Sequence, residues 1–375
     1  MPDDRSRSAI AWADAVVVAA VLALGVLIVA HAAAGFRDAP PRRIIAADPL
    51  DEAALAQLGL DADRRGERPQ AEALLRFAGG RTWRDRPVQA WLLQRATERG
   101  DWTGAMARAD ALLRTDSDGA LRPQLFRLLD VLGSDDASRP AVIARLRSAP
   151  WWREGWLVHL AAVAASPTGA LTPDQVRSIL TALTVGSHPL TPAEYLPYVR
   201  MRLGRGDYAQ AVRDWGSLAR RPDADAPMRD PQFEKSGGAG PFDWRPATGV
   251  GASSELMESG EAGIGRTLRV DYDGFSPSLL PGQLLVLPQG AYRFAWRERV
   301  AGPPRLAWRV RCLGPAPRVL AQAAPGHGPA WRDRVLQFAT PQDCPAQQLE
   351  LVPQPGERRD EVTGWFAALS LSAIH

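Results

Sequence analysis

At 375 residues and 46% hydrophobic content the chain is globular in composition and too long for one ordinary core, which implies two or three domains. Its 45 basic residues nearly cancel 42 acidic ones, so the formal charge of +3 and the pI of 9.2 reflect a small excess rather than a basic face. That balance argues against a nucleic-acid partner, whose footprint is clustered Lys and Arg.

The chain begins with a polar stretch, MPDDRSRS, and from Ala9 to Ala34 is apolar apart from Asp14 and His31. The uncharged core from Ala15 to Ala30 and its apolar flanks are long enough to cross roughly 30 Å of hydrocarbon as a helix. Residues 1–36 are therefore expected to be a short tip and a single membrane anchor, with 37–48 a juxtamembrane linker. A cleaved signal peptide is the rival, because Ala30, Ala32 and Ala34 resemble a cleavage site. Arg5 and Arg7 precede the segment and Arg37, Arg42 and Arg43 follow it, which leaves orientation undecided by charge.

From about residue 49 to 221 apolar residues recur at helical spacing, and Gly or Pro interrupts them every dozen or so residues. Gly66-Glu67 with Ala71 returns 34 residues later as Gly100-Asp101 with Ala105, and again as Gly206-Asp207 with Ala211. Leu58-Gly59 precedes Ala71, and Leu75 and Ala78 follow it, in an alternation of large and small residues that lets paired helices approach. In length and in these positions the segment resembles tetratricopeptide repeats, which implies an α-solenoid that docks a protein partner. Trp151 and Trp152 are candidate partner-binding residues, since adjacent helical positions cannot both face inward.

Residues 222–229 read as a linker, rich in Pro and Asp. The chain then changes character: short alternating runs bounded by Gly or Pro fill 230–375. They cover 267–272, 283–287, 290–297, 305–312, 318–321, 332–339, 347–352 and 364–372, and predict a two-sheet antiparallel sandwich. Tyr292, Phe294 and Trp296 alternate onto one face, as do Leu306, Trp308, Val310 and Cys312, so Trp296 and Trp308 are expected in the core. Phe233-Glu234, followed by a loop and Trp244, resembles the opening of carbohydrate-binding-module-like jelly rolls of the galactose-binding type. The resemblance implies glycan binding. Modules of that type often hold a structural calcium, but Ala367 and Ala368 stand where the closing strand commonly has an Asp, so no metal is assigned beside Glu234.

Cys312 and Cys344 are the only cysteines, and neither lies in a CxxC pair. They are either one disulfide, which suits an extracytoplasmic location, or two separate buried thiols. The disulfide favours an N-terminus inside the cell and a periplasmic body at a bacterial inner membrane. Five scattered histidines show no metal-ligand spacing, and no Walker loop, G-x-S-x-G or complete dinucleotide fingerprint occurs. No cofactor and no catalytic residue is assigned. The expected role is a non-enzymatic scaffold or binding protein, with Trp244, Trp331 and Tyr272 as candidate sugar-binding rings, of which Trp244 and Trp331, beside Gly- and Pro-rich loops, are expected to be exposed. A purely protein-protein platform and a polysaccharide hydrolase or lyase, the latter needing two paired carboxylates, remain as alternatives.

Overall fold

The computed structural model describes residues 40–47, 49–234, 240–314 and 316–374. The expected membrane anchor lies outside them; among the described residues no helix is long and apolar enough to cross a membrane. The described residues divide into two compact units, one ending at Leu190 and the other starting at Thr191.

The first unit is helical. After α1 (Pro41–Ala47), α2 (Glu52–Arg64) and α3 (Arg68–Arg81) form a hairpin, as do α4 (Arg86–Glu98) and α5 (Trp102–Thr115). The second hairpin starts 34 residues after the first, the spacing of the repeated glycine phrase. That phrase is a helix stop: Gly66 and Gly100 take φ of +80° and +69°, a region open to glycine. The next amide then reaches back five residues, from Glu67 to the Ala62 carbonyl and from Asp101 to that of Ala96, both at 2.9 Å. Small residues hold each pair close. Ala62, Ala71 and Ala78 are fully buried, and a Cβ on Gly59 would meet the Leu75 side chain at 2.6 Å.

Four further helices follow among the described residues of this unit: α6 (Arg122–Ser134), α7 (Arg139–Leu146), α8 (Arg153–Ala165) and α9 (Pro173–Ala182). Side chains cap several starts, with Asp51, Asp85 and Asp101 accepting amides of the first turn and Thr172 pairing with Gln175 in a capping box. Arginines close the other ends. Arg139 donates to the Gly133 and Ser134 carbonyls at the end of α6, Arg147 to Ala182 at the end of α9, and Arg153 to Leu146 at the end of α7. Those carbonyls have no partner within their own helix, so guanidinium groups satisfy them and offset the negative end of the dipole.

The second unit begins with another hairpin, α10 (Pro192–Gly204) and α11 (Tyr208–Leu218), whose turn repeats the glycine stop at Gly206. The sequence reading placed this hairpin in the solenoid, whereas it clusters with the sandwich. Arg229 lies over the rings of Trp215 on α11 and Phe242, at 5.3 and 5.1 Å, and its burial lowers its pKa to about 10. The segment read as a linker is pinned at its end, where the Arg229 amide donates to Gln283 Oε1 and the Gln283 amide returns a bond to the Arg229 carbonyl.

The sandwich consists of β1 (Ala252–Glu258), β2 (Arg266–Tyr272), β3 (Gly282–Leu285), β4 (Gly290–Ala301), β5 (Leu306–Leu313), β6 (Arg318–Gln322), β7 (Gly328–Thr340), β8 (Ala346–Pro353) and β9 (Val362–Ile374). Five strands pair antiparallel in the order β1-β2-β9-β4-β7, and four in the order β3-β8-β5-β6. Alternation turns one row of each sheet inward: Leu268, Val270 and Tyr272 from β2, Tyr292, Phe294 and Trp296 from β4, and Leu306, Trp308 and Val310 from β5. Trp308 is the hub, with Trp244, Phe294 and Phe366 edge-on to its ring. Cys312 at the end of β5 is disulfide-bonded to Cys344, just before β8.

Candidate functional site

Burial removes two of the three rings expected to meet a sugar. Trp244 is 7% exposed, packs on Phe233 and Trp308, and donates its indole N–H to the Arg229 and Asp230 carbonyls. Tyr272 is 2% exposed because it falls on the inward row of β2. As they sit, neither can be a stacking platform; the exposure expected of Trp244 from neighbouring Gly- and Pro-rich loops is corrected, and so is Tyr272 as a ligand-binding residue. Trp331, the third, is half-buried on β7.

What the fold places beside Trp331 was not singled out from the sequence. On the solvent side of the five-stranded sheet a rank of side chains crosses neighbouring strands. Glu255 on β1 is opposite Arg269 on β2, Arg269 opposite Trp365 on β9, and Trp365 opposite Arg299 on β4. The Arg299 guanidinium lies 4.4 Å from the centre of the Trp365 ring and 5.3 Å from that of Trp331, so one cation bridges two half-buried indoles. Glu261, in the turn before β2, fixes the arrangement: it accepts from Arg299 at 2.5 Å with one oxygen and from Trp331 Nε1 at 2.9 Å with the other. Trp365 had a sequence signal. Trp365 and Phe366 are adjacent in a strand, so one must face away from the core. Arg299 and Glu261 had none, because their meeting depends on a long-range register.

Asp271 and Asp273, near this face, are engaged, whereas Glu255 on β1 is exposed with no ion pair or hydrogen bond among the described residues. Asp271 accepts from Thr363 Oγ1 at 2.8 Å and from Arg269 at 3.1 Å. Asp273 is bound by the Ser276 hydroxyl and by the Ser276 and Phe275 amides, which together hold its pKa below the ordinary 3.8. Glu234 is exposed, and its amide donates to Asp230. Among the described residues no three His, Cys, Asp or Glu side chains are grouped to hold a metal ion.

In the helical unit the adjacent indoles part company. Trp151 is 55% exposed, with the Arg122 guanidinium 5.0 Å from its ring. Trp152 is 1% exposed and donates its N–H to Asp110 Oδ1 at 2.9 Å, so it serves the interior and is corrected as a partner-binding residue.

The chain matches no family model and no curated protein. Solved structures similar to it include carbohydrate-binding modules that align with the sandwich. One is a CBM4, 12% identical with a TM-score of 0.32, the match covering 39% of this chain and 99% of that one. A second is the CBM22-1 xylan-binding domain from Paenibacillus barcinonensis Xyn10C, at 12% and 0.30, covering 38% and 91%. A third is TmCBM61 in complex with β-1,4-galactotriose, at 13% and 0.26, covering 40% and 98%.

Proposed function

We propose that this chain is a non-enzymatic binding protein of the bacterial inner membrane, whose jelly-roll sandwich engages a polysaccharide through the outer face of its five-stranded sheet. The observation that carries the reading is the bracketing of Arg299 by Trp331 and Trp365 on a solvent-facing sheet, while Trp244, Trp296 and Trp308 are consumed by the core. A sugar presents C–H faces and hydroxyl edges together. A rank alternating indole with guanidinium and carboxylate matches both, because the rings supply apolar area and the charged groups supply directed hydrogen bonds. Support for a role without catalysis comes from the engagement of Glu261 and Asp271 in ion pairs and hydrogen bonds.

Membrane attachment and a periplasmic body rest on the apolar run from Ala9 to Ala34 and on the Cys312–Cys344 disulfide, a bond typical of oxidising compartments. The 34-residue hairpin period supports a tetratricopeptide-like array in the helical unit, and an envelope or exopolysaccharide assembly is the setting that suits both halves.

Native gel electrophoresis with soluble β-glucan, xylan or polygalacturonate cast into the gel tests the reading. At least one polysaccharide should retard the full chain, and Trp331→Ala with Trp365→Ala should abolish the retardation. Retardation that survives both substitutions, or none with any polysaccharide while crosslinking recovers a protein on this face, would favour a protein-protein platform instead.

A further inference from the structure

The helical unit carries a second built surface, on different residues and with different chemistry. A groove of about 530 Å³ lies against α5 and α7 and against Trp83 and Arg84, which follow α3. Its floor is small, with Ala107 and Ala111 one turn apart on α5, so a backbone can approach the helix closely. Its charge is unbalanced: Arg84, Arg114 and Arg145 line it, against the single carboxylate of Asp110.

Asp110 is already saturated. One oxygen accepts from Trp152 Nε1, and the other takes Arg114 Nε at 2.8 Å together with the Arg145 guanidinium. Two cations thus share one buried anion, and Arg84 adds a third, exposed and without an ion-pair or hydrogen-bond partner among the described residues. Nearby carboxylates are committed elsewhere. Asp85 caps α4 through the Val88 amide, Asp116 accepts the Leu121 and Arg122 amides, and Asp118 pairs with Arg86. Next to this positive charge the Trp83 ring is 46% exposed, with Arg108 held 4.2 Å from its centre.

We propose that this groove binds an acidic segment of a partner protein, an extended stretch in which Asp or Glu alternates with apolar side chains. Guanidinium forks pair with carboxylates in bidentate fashion, and here they border an indole and an alanine floor that favour apolar neighbours. A bare inorganic anion would leave the apolar part of the groove unfilled. A nucleic-acid backbone would need a longer run of free cations than Arg84 and one surplus charge provide.

Fluorescence anisotropy of the full chain in nonionic detergent, with a labelled peptide of alternating Glu and Leu, tests this directly. The acidic peptide is expected to bind at least about tenfold more tightly than the Gln-Leu version, since the difference is one of charge pairing. Arg84→Glu should weaken it about tenfold or more, and Trp83→Ala by a smaller factor, while Arg127→Glu on an exposed face of α6 leaves it unchanged. Because Arg84 holds nothing in the fold, its variant retains the parent circular dichroism, so a lost signal reports binding. Equal affinity for the two peptides, or indifference to Arg84→Glu, overturns the proposal. So does displacement by oligogalacturonate with the same Arg84 dependence, which would assign the groove to acidic polysaccharide. None of these readouts depends on the sandwich.

Discussion

Single residues decide what is interior here, and Asp110 is the sharpest case. It is 4% exposed, yet it serves one indole and two guanidinium groups. Asp110→Ala would leave the buried Trp152 Nε1 without its acceptor while Arg114 and Arg145 stay partly solvated, and a stranded buried donor costs about 1–3 kcal/mol, readable as a lowered urea midpoint. Asp273 gives a pH-dependent counterpart. Its folded pKa lies below the ordinary 3.8, chiefly through the Ser276 hydroxyl, so its stabilisation is complete above that value and is lost as pH falls through the folded one. Asp273→Ala should therefore be less stable than the parent at pH 7, and the gap between their urea midpoints should shrink on acidification below about pH 4. This is also the scale at which the sequence was least legible. Trp244 and Trp331 both neighbour Gly- and Pro-rich loops, but one ring turns in to meet Trp308 and the other turns out to meet Arg299.

At the scale of elements the chemistry that makes each helix or strand is local, and most of it could be read in advance. The repeated Gly-acid phrase marks a left-handed helix stop, so Gly66→Ala or Gly100→Ala should each cost about 1 kcal/mol or more through strain at positive φ, measured by thermal unfolding. Eight of the nine strands coincide with expected alternating runs. The exception, β1, reads ASSELME, with too little β-branched or aromatic content to stand out, and it is an edge strand paired only to β2. Spacing alone cannot tell whether the two cysteines form a bridge or two separate thiols. The fold brings their Cα atoms to 5.6 Å, within disulfide range. Closing a loop of 32 residues implies that reduction, or Cys312→Ala with Cys344→Ala, lowers sandwich stability by about 3–4 kcal/mol in the chain-entropy model.

At the scale of the whole molecule, composition located a change of architecture near residues 222–244, but contacts divide the chain at Leu190 and Thr191. Helical periodicity continues through α10 and α11 and gives no sign that Trp215 will face Phe242 and Arg229 rather than another hairpin. Residues 191–375 expressed alone should accordingly melt as one cooperative unit, and removing 191–221 should lower the melting temperature by exposing the Phe242 and Arg229 surface. The candidate glycan face is legible only at this scale, since β1, β2, β9, β4 and β7 must assemble in that order before Glu255, Arg269, Trp365, Arg299 and Trp331 come into rank. Titration calorimetry of the full chain with a polysaccharide that retards it, comparing the parent with Trp365→Ala, tests that face most directly. The account predicts a loss of about tenfold or more in affinity with the fold retained, as for a central aromatic contact; unchanged affinity in the folded variant would contradict it.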